Sequence, residues 1–195
     1  IETARIHGGM WDPYWSKRWD GGGEPRPMLA LELQAGELER EEAIWKPKLY
    51  NDWLPLTSRD WRELGRTVRW NSAFDAETNE PNGSLYLFEH GDIHEAELII
   101  GPRNGLTFDV SWRGVAGIYW DQGDYGARVP FSATAKARFE RLHIHGSAND
   151  DARSYRERFA LHLNPDDFEQ GPIVDAGGAY EDGMGMTYCV FTPRD

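Results

Sequence analysis

The sequence predicts a mainly β fold, α+β at its margin, arranged as an antiparallel sandwich, a barrel or one curved sheet. One or two short helices are expected in the N-terminal third. Two observations predict this. From residue 84 onward, apolar and polar residues alternate with period two in short runs. The runs are bounded by turn residues such as Asn82-Gly83 and Pro102-Arg103-Asn104-Gly105. The βαβ alternation of a parallel, doubly wound sheet is missing.

The elements follow in chain order. Trp11, Trp15 and Trp19 recur at a spacing of four, with Asp12 placed as an N-cap and Pro13 at the first helical position. This reads as a short helix ended by Gly21-Gly22-Gly23, or as a loop with a tryptophan stripe. Residues 28–33 form a strand with Leu29, Leu31 and Leu33 on one face. Residues 37–45 suit a helix by their glutamates, or the return strand of a hairpin turning at Ala35-Gly36. Thr57, three residues before Asp60, and Gly65 bracket a helix over 58–64.

Strands then follow over 84–89, 95–100 and 106–112, with His90-Gly91-Asp92 read as a turn. In the last of these, Leu106, Phe108, Val110 and Trp112 face opposite to Thr107, Asp109 and Ser111. Residues 118–120 and 127–131 flank a glycine-rich turn. Residues 138–145 and 154–163 read as a hairpin that buries Tyr155, Phe159, Leu161 and Leu163, and 186–192 as a closing strand. One domain is expected over 1–195, an aromatic-rich mixed segment (1–80) packing on an antiparallel core (84–193).

Chain length does not limit the core. A chain of 195 residues buries roughly 70% of its unfolded surface. The single cysteine, Cys189, is expected to be a buried, inert thiol in a strand. The lack of cysteine pairs suits a reducing, cytoplasmic setting, and no window is apolar enough to span a bilayer.

The net charge is −12, which disfavours non-specific nucleic-acid binding, because phosphates call for clustered Lys and Arg. From Asn164 to Asp195 seven acids stand against one base. Asp166, Asp167, Glu169, Glu181 and Asp182 therefore become candidates for steering a basic partner. Trp11, Trp15 and Trp19 join them as aromatic anchors, because flat rings give contact area at little entropic cost.

Candidate chemistry is sparse. His143 and His145, two apart on a predicted strand, share a face and can offer two imidazoles to a metal, completed by His90 or His94. Asn149-Asp150-Asp151 and the acids Asp121 and Asp124 offer oxygen ligands without EF-hand order. No nucleotide-binding glycine run and no nucleophile elbow occur.

In general composition the chain is similar to the small immunity proteins that neutralise bacterial toxins, a resemblance that transfers no residue. The expectation is a non-enzymatic, acidic binding protein of immunity or inhibitor type. Its partner would be a basic protein such as a toxin, with no cofactor, no direct nucleic-acid contact and no membrane. The alternatives are a His-centred metalloenzyme and a carbohydrate-binding β-sandwich using exposed tryptophans.

Overall fold

The structure, a computed structural model, describes residues 1–10, 27–40, 42–76, 79–120, 123–179 and 185–195. It is mainly β. The strands are β1 (Thr3–Met10), β2 (Met28–Gln34), β3 (Leu38–Arg40), β4 (Ala43–Trp45), β5 (Lys48–Pro55) and β6 (Arg66–Trp70). They continue with β7 (Ser84–Tyr86), β8 (His90–Asn104), β9 (Thr107–Trp120), β10 (Gly123–Ser147), β11 (Phe168–Ala179) and β12 (Gly185–Pro193). Among the described residues, one helix, α1 (Ala152–Ala160), separates β10 from β11, and two 3₁₀ turns occupy Trp61–Glu63 and Pro165–Asp167. Among the described residues no helix is long and apolar enough to cross a membrane.

The chain forms two compact units. The first comprises Ile1–Ile6, Ala30–Leu54 and Gly65–Arg138. Its strands lie in the order β2, β5, β7, β8, β9 and the first part of β10, with β6 also paired to β8. The registered pairings in this unit are antiparallel. Alternation aims Leu98, Ile100, Phe108, Val110 and Trp112 into the core. Leu31, Leu33 and Leu49 are buried with them, whereas Asp109 is exposed.

The sequence splits β8 and β9 into shorter pieces because glycine and proline interrupt the alternation. In the fold these residues lie within the strands. Register shifts between Ile93 and Glu95, and between Ile100 and Arg103, are bulges that let the ladder continue. The hairpin joining β8 to β9 turns at Gly105, whose φ is 58°.

The second unit comprises His7–Leu29, Pro55–Leu64 and Phe139–Asp195. Here the last part of β10 pairs with β12, and β12 with β11, both antiparallel. Phe139, Leu142, Ile144, Phe168, Cys189 and Phe191 point inward and are buried. Helix α1 closes this core. Phe159 stacks on Phe191 at 4.1 Å and meets Phe168 edge-on at 4.7 Å. Trp61 stacks on Phe139 at 5.2 Å. Cys189 is buried and free, its thiol pushed up by burial, and it donates to the Gly171 carbonyl.

Several sequence expectations are corrected. The segment 154–163 is not a strand: it is helical to Ala160 and then turns. Tyr155, Phe159 and Leu163 stand four apart, the period of one helix face, and Leu161 is exposed. Asp151 starts the helix by accepting from the Ser154 amide at 2.8 Å. The helix expected over 58–64 shrinks to the 3₁₀ turn, and its cap is Asp60, which accepts from the Arg62 amide.

Residues 37–45 are the hairpin β3–β4, turning around Glu42 at φ 63° rather than at Ala35-Gly36. Gly177 and Gly178 lie within β11. Strands β1, β5, β6 and β11 were not foreseen, because short apolar alternation is weak in each. The helix expected around Trp11, Trp15 and Trp19 lies outside the described residues.

Candidate functional site

A buried glutamate anchors one polar cluster of the first unit. In β2 the leucines take the core face, which leaves Glu32 on the other face, yet it is only 7% exposed. A buried carboxylate needs partners to offset its lost hydration. Two neighbouring strands supply them. Arg5 of β1 donates to Oε1 at 2.8 Å, and the Lys48 ammonium of β5 lies 3.9 Å from Oε2.

Lys48 then leads the site outward. Its Nζ lies 5.3 Å from the ring centre of Tyr50 and 5.0 Å from that of Tyr86, within cation–π range. Register extends the row. Lys48 opposes Tyr86, which opposes His90, while Tyr50 opposes Ser84, which opposes Asp92. His90 meets Tyr86 edge-on at 5.0 Å, and its Nε2 lies 3.1 Å from Asp92 Oδ1.

Two titrations in this cluster are shifted. Burial, with Asp52 and Glu32 adding to it, pushes the Tyr50 phenol up to about 12, so it keeps its proton as a neutral donor. Partial desolvation raises the Asp52 carboxyl, and the Glu80 charge raises it further. Tyr86 and His90 are exposed. The row thus offers aromatic faces, a fixed ammonium, an imidazole and carboxylates on a strand surface, which is contact chemistry.

The expected site residues are distributed as follows. His90 and Asp92 enter the row just described, in strand β8 and not in a turn. His94 sits at the β8 bulge. His143 and His145 share the outward face of β10, opposite Val190 and Tyr188 of β12. Tyr188 stacks on His143 at 5.3 Å. The charge of His7 of β1 acts on His143, whereas His90 and His94 belong to the first unit. Among the described residues no group of three or more His, Cys, Asp or Glu side chains could hold a metal ion.

His143 is held neutral. Burial, with Arg141, His145 and His7 adding positive charge, lowers it to about 4 from an ordinary 6.5. A histidine depressed on folding contributes stability at pH above 6.5, and that contribution is lost as pH falls toward 4. The contribution is about 1–2 kcal/mol once discounted for partial exposure. Thermal unfolding from pH 7 to pH 4 should therefore show a falling midpoint, and His143→Gln should flatten that decline. An unchanged slope in the variant contradicts the assignment.

The acidic candidates have partners of their own. Arg62 grips Asp167 with both terminal nitrogens at 3.1 Å and also reaches Asp60. Asp166 is paired with Arg156 at 2.6 Å, while Glu169 is exposed. Asp167→Asn should cost about 1–2 kcal/mol, because a two-pronged, partly buried ion pair is lost. Asp166→Asn, at an exposed pair, should change the unfolding midpoint little.

The carboxylates of Asp150 and Asp151, expected as oxygen ligands, are also engaged. Asp150 accepts from the Ser147 amide at 2.7 Å and pairs with Arg158, and Asp151 caps α1. Glu181, Asp182, Trp11, Trp15, Trp19 and Asp121 lie outside the described residues.

Sequence reasoning missed Arg5, Glu32, Lys48, Tyr50 and Tyr86. One signal was present, a glutamate set among Leu29, Leu31 and Leu33. Comparison with known protein families, with characterised proteins and with solved structures returns no significant match.

Proposed function

We propose that this chain is a non-enzymatic binding protein of immunity or inhibitor type that captures a basic protein partner, with Lys48, Tyr50, Tyr86 and His90 at the contact. One observation carries the reading: strand register aligns the half-buried Lys48 with the exposed Tyr86 and His90, and Lys48 is tied to the buried Glu32. Tyrosine beside charged groups is the composition of binding hot spots.

Charge favours a basic partner. The first unit holds seventeen acids against eleven bases and the second sixteen against ten, so each carries −6. A field of that sign accelerates the approach of a cationic protein and weakens with salt. With Asp166 and Asp167 paired internally, steering rests on this distributed charge and less on the C-terminal acids. A cytoplasmic setting fits the unpaired Cys189.

The test is capture from source lysate on immobilised protein at low and high salt. One basic protein should bind at low salt, be released at high salt and be lost from a Tyr86→Ala bait. Truncating a hot-spot tyrosine should weaken binding by about 2 kcal/mol, roughly thirtyfold. Capture that is insensitive to salt, or equal on the Tyr86→Ala bait, removes the reading.

A further inference from the structure

A second feature of the first unit lies apart from the Lys48, Tyr86 and His90 row and does not depend on the proposed partner. It is a concavity of about 650 Å³ spanning β6, β8 and β9. Arg69, Asn71, Glu95, Glu97, Arg113 and Val115 are among the residues that line it. Register sets Arg69 opposite Glu97, and Glu97 opposite Arg113, so one carboxylate stands between two guanidiniums.

The bonding is divided evenly. Arg69 donates through Nε to Glu97 Oε1 at 2.8 Å, and Arg113 through Nε to Oε2 at 2.9 Å. The terminal Nη2 of each arginine also faces Glu97, at 2.5 Å. These contacts use one edge of each guanidinium. The Nη1 groups have no partner among the described residues, nor does the Asn71 amide. Both arginine side chains are about 70% exposed, against 14% for Glu97. Both guanidiniums hold the Glu97 carboxyl well below its ordinary value, so it stays ionised and keeps them in place.

We infer that this concavity is a binding site for the phosphate monoester group of a small molecule, with Arg69 and Arg113 as its two prongs and Asn71 as a further donor. Glu97 acts as a splint. It fixes the arginine rotamers, so that little side-chain entropy remains to be lost when a ligand binds. A guanidinium presents paired N–H donors to an oxyanion, which a lysine ammonium does not. The lining is balanced in charge, Arg69 and Arg113 against Glu95 and Glu97, and Arg128 pairs with Glu95 from outside it. Two guanidinium edges match the three terminal oxygens of a phosphate monoester better than the two of a monocarboxylate, so the monoester should bind better.

The experiment is a titration of the full chain with phenyl phosphate, using benzoate and phenol as comparisons at matched ionic strength. Arginine Nε–H resonances are followed by NMR. The Arg69 and Arg113 signals should shift saturably with phenyl phosphate, less with benzoate and not with phenol. Arg69→Gln and Arg113→Gln should each weaken binding at least tenfold. Arg69→Lys, which keeps the charge, should still weaken it several-fold.

Non-saturable shifts that sodium chloride reproduces would reduce the feature to an exposed ion-pair ladder and overturn the inference. Equal binding by Arg69→Gln and Arg113→Gln would do the same. If one arginine variant fails to fold, the other, together with Asn71→Ala, gives the same reading.

Discussion

Replacing Trp61 with alanine is expected to cost about 3–5 kcal/mol, the usual range for removing a fully buried indole. Trp61 is 0% exposed and is the largest side chain that the segment Pro55–Leu64 places in the core of the second unit. Its ring stacks on Phe139 at 5.2 Å and meets Phe168 at 6.5 Å. Alanine there leaves a void beside Phe139 and Phe168, which rigid backbone can close only in part. The 3₁₀ turn that carries Trp61 is also fixed by Arg62 gripping Asp167, so the turn cannot move inward to fill the gap. Chemical denaturation should show the midpoint falling sharply at an unchanged slope. Trp61→Phe, which keeps a stacking ring, should recover more than half of the loss.

The second large effect is expected at Gly91. A Cβ on Gly91 would collide with the Gly117 carbonyl oxygen of β9 and stand 3.3 Å from the Leu85 carbonyl oxygen of β7. Both obstacles are backbone, so no rotamer change relieves them. Gly91→Ala must push β8 away from β9, at a cost of about 3 kcal/mol, the upper end for overpacking. Because Gly91 lies between His90 and Asp92, the same shift should break the register that sets His90 against Tyr86. The variant should therefore lose thermal stability and partner capture together. A variant that keeps both would show that β8 and β9 approach each other less closely than described.

Gly91 also shows where sequence reasoning stops. His90-Gly91-Asp92 has the composition of a turn, but the glycine is required by the close approach of β9, a long-range contact with no local signature. The strands of the second half were legible because Phe108, Val110 and Trp112 alternate with polar residues over one half-buried ladder. Helix α1 was misread for a related reason. Tyr155, Phe159 and Leu163 fit a helical period, but Leu161 and Leu163 also fit alternation, and the cap at Asp151 decides the matter.

The candidate site was legible in fragments. His90 and Asp92 were visible as chemistry-bearing residues, and His143 with His145 as a pair on one face. Neither set of partners was visible. Glu32, Lys48 and Tyr86 come from three strands whose order no local pattern encodes, and His7 reaches β10 through a pairing of distant segments. The acids from Asn164 onward looked free because sequence carries no record that Arg62 and Arg156 reach Asp167 and Asp166.

The central claim, capture of a basic protein by a charged and tyrosine-bearing face, is tested most directly by association kinetics. Rates for the captured partner would be measured against ionic strength, for the unaltered protein and for Tyr86→Ala. The account predicts that the association rate falls steeply with added salt in both proteins, because the −12 field is shared. It also predicts that Tyr86→Ala speeds dissociation roughly thirtyfold. A salt-independent association rate, or equal dissociation from the two proteins, would contradict it.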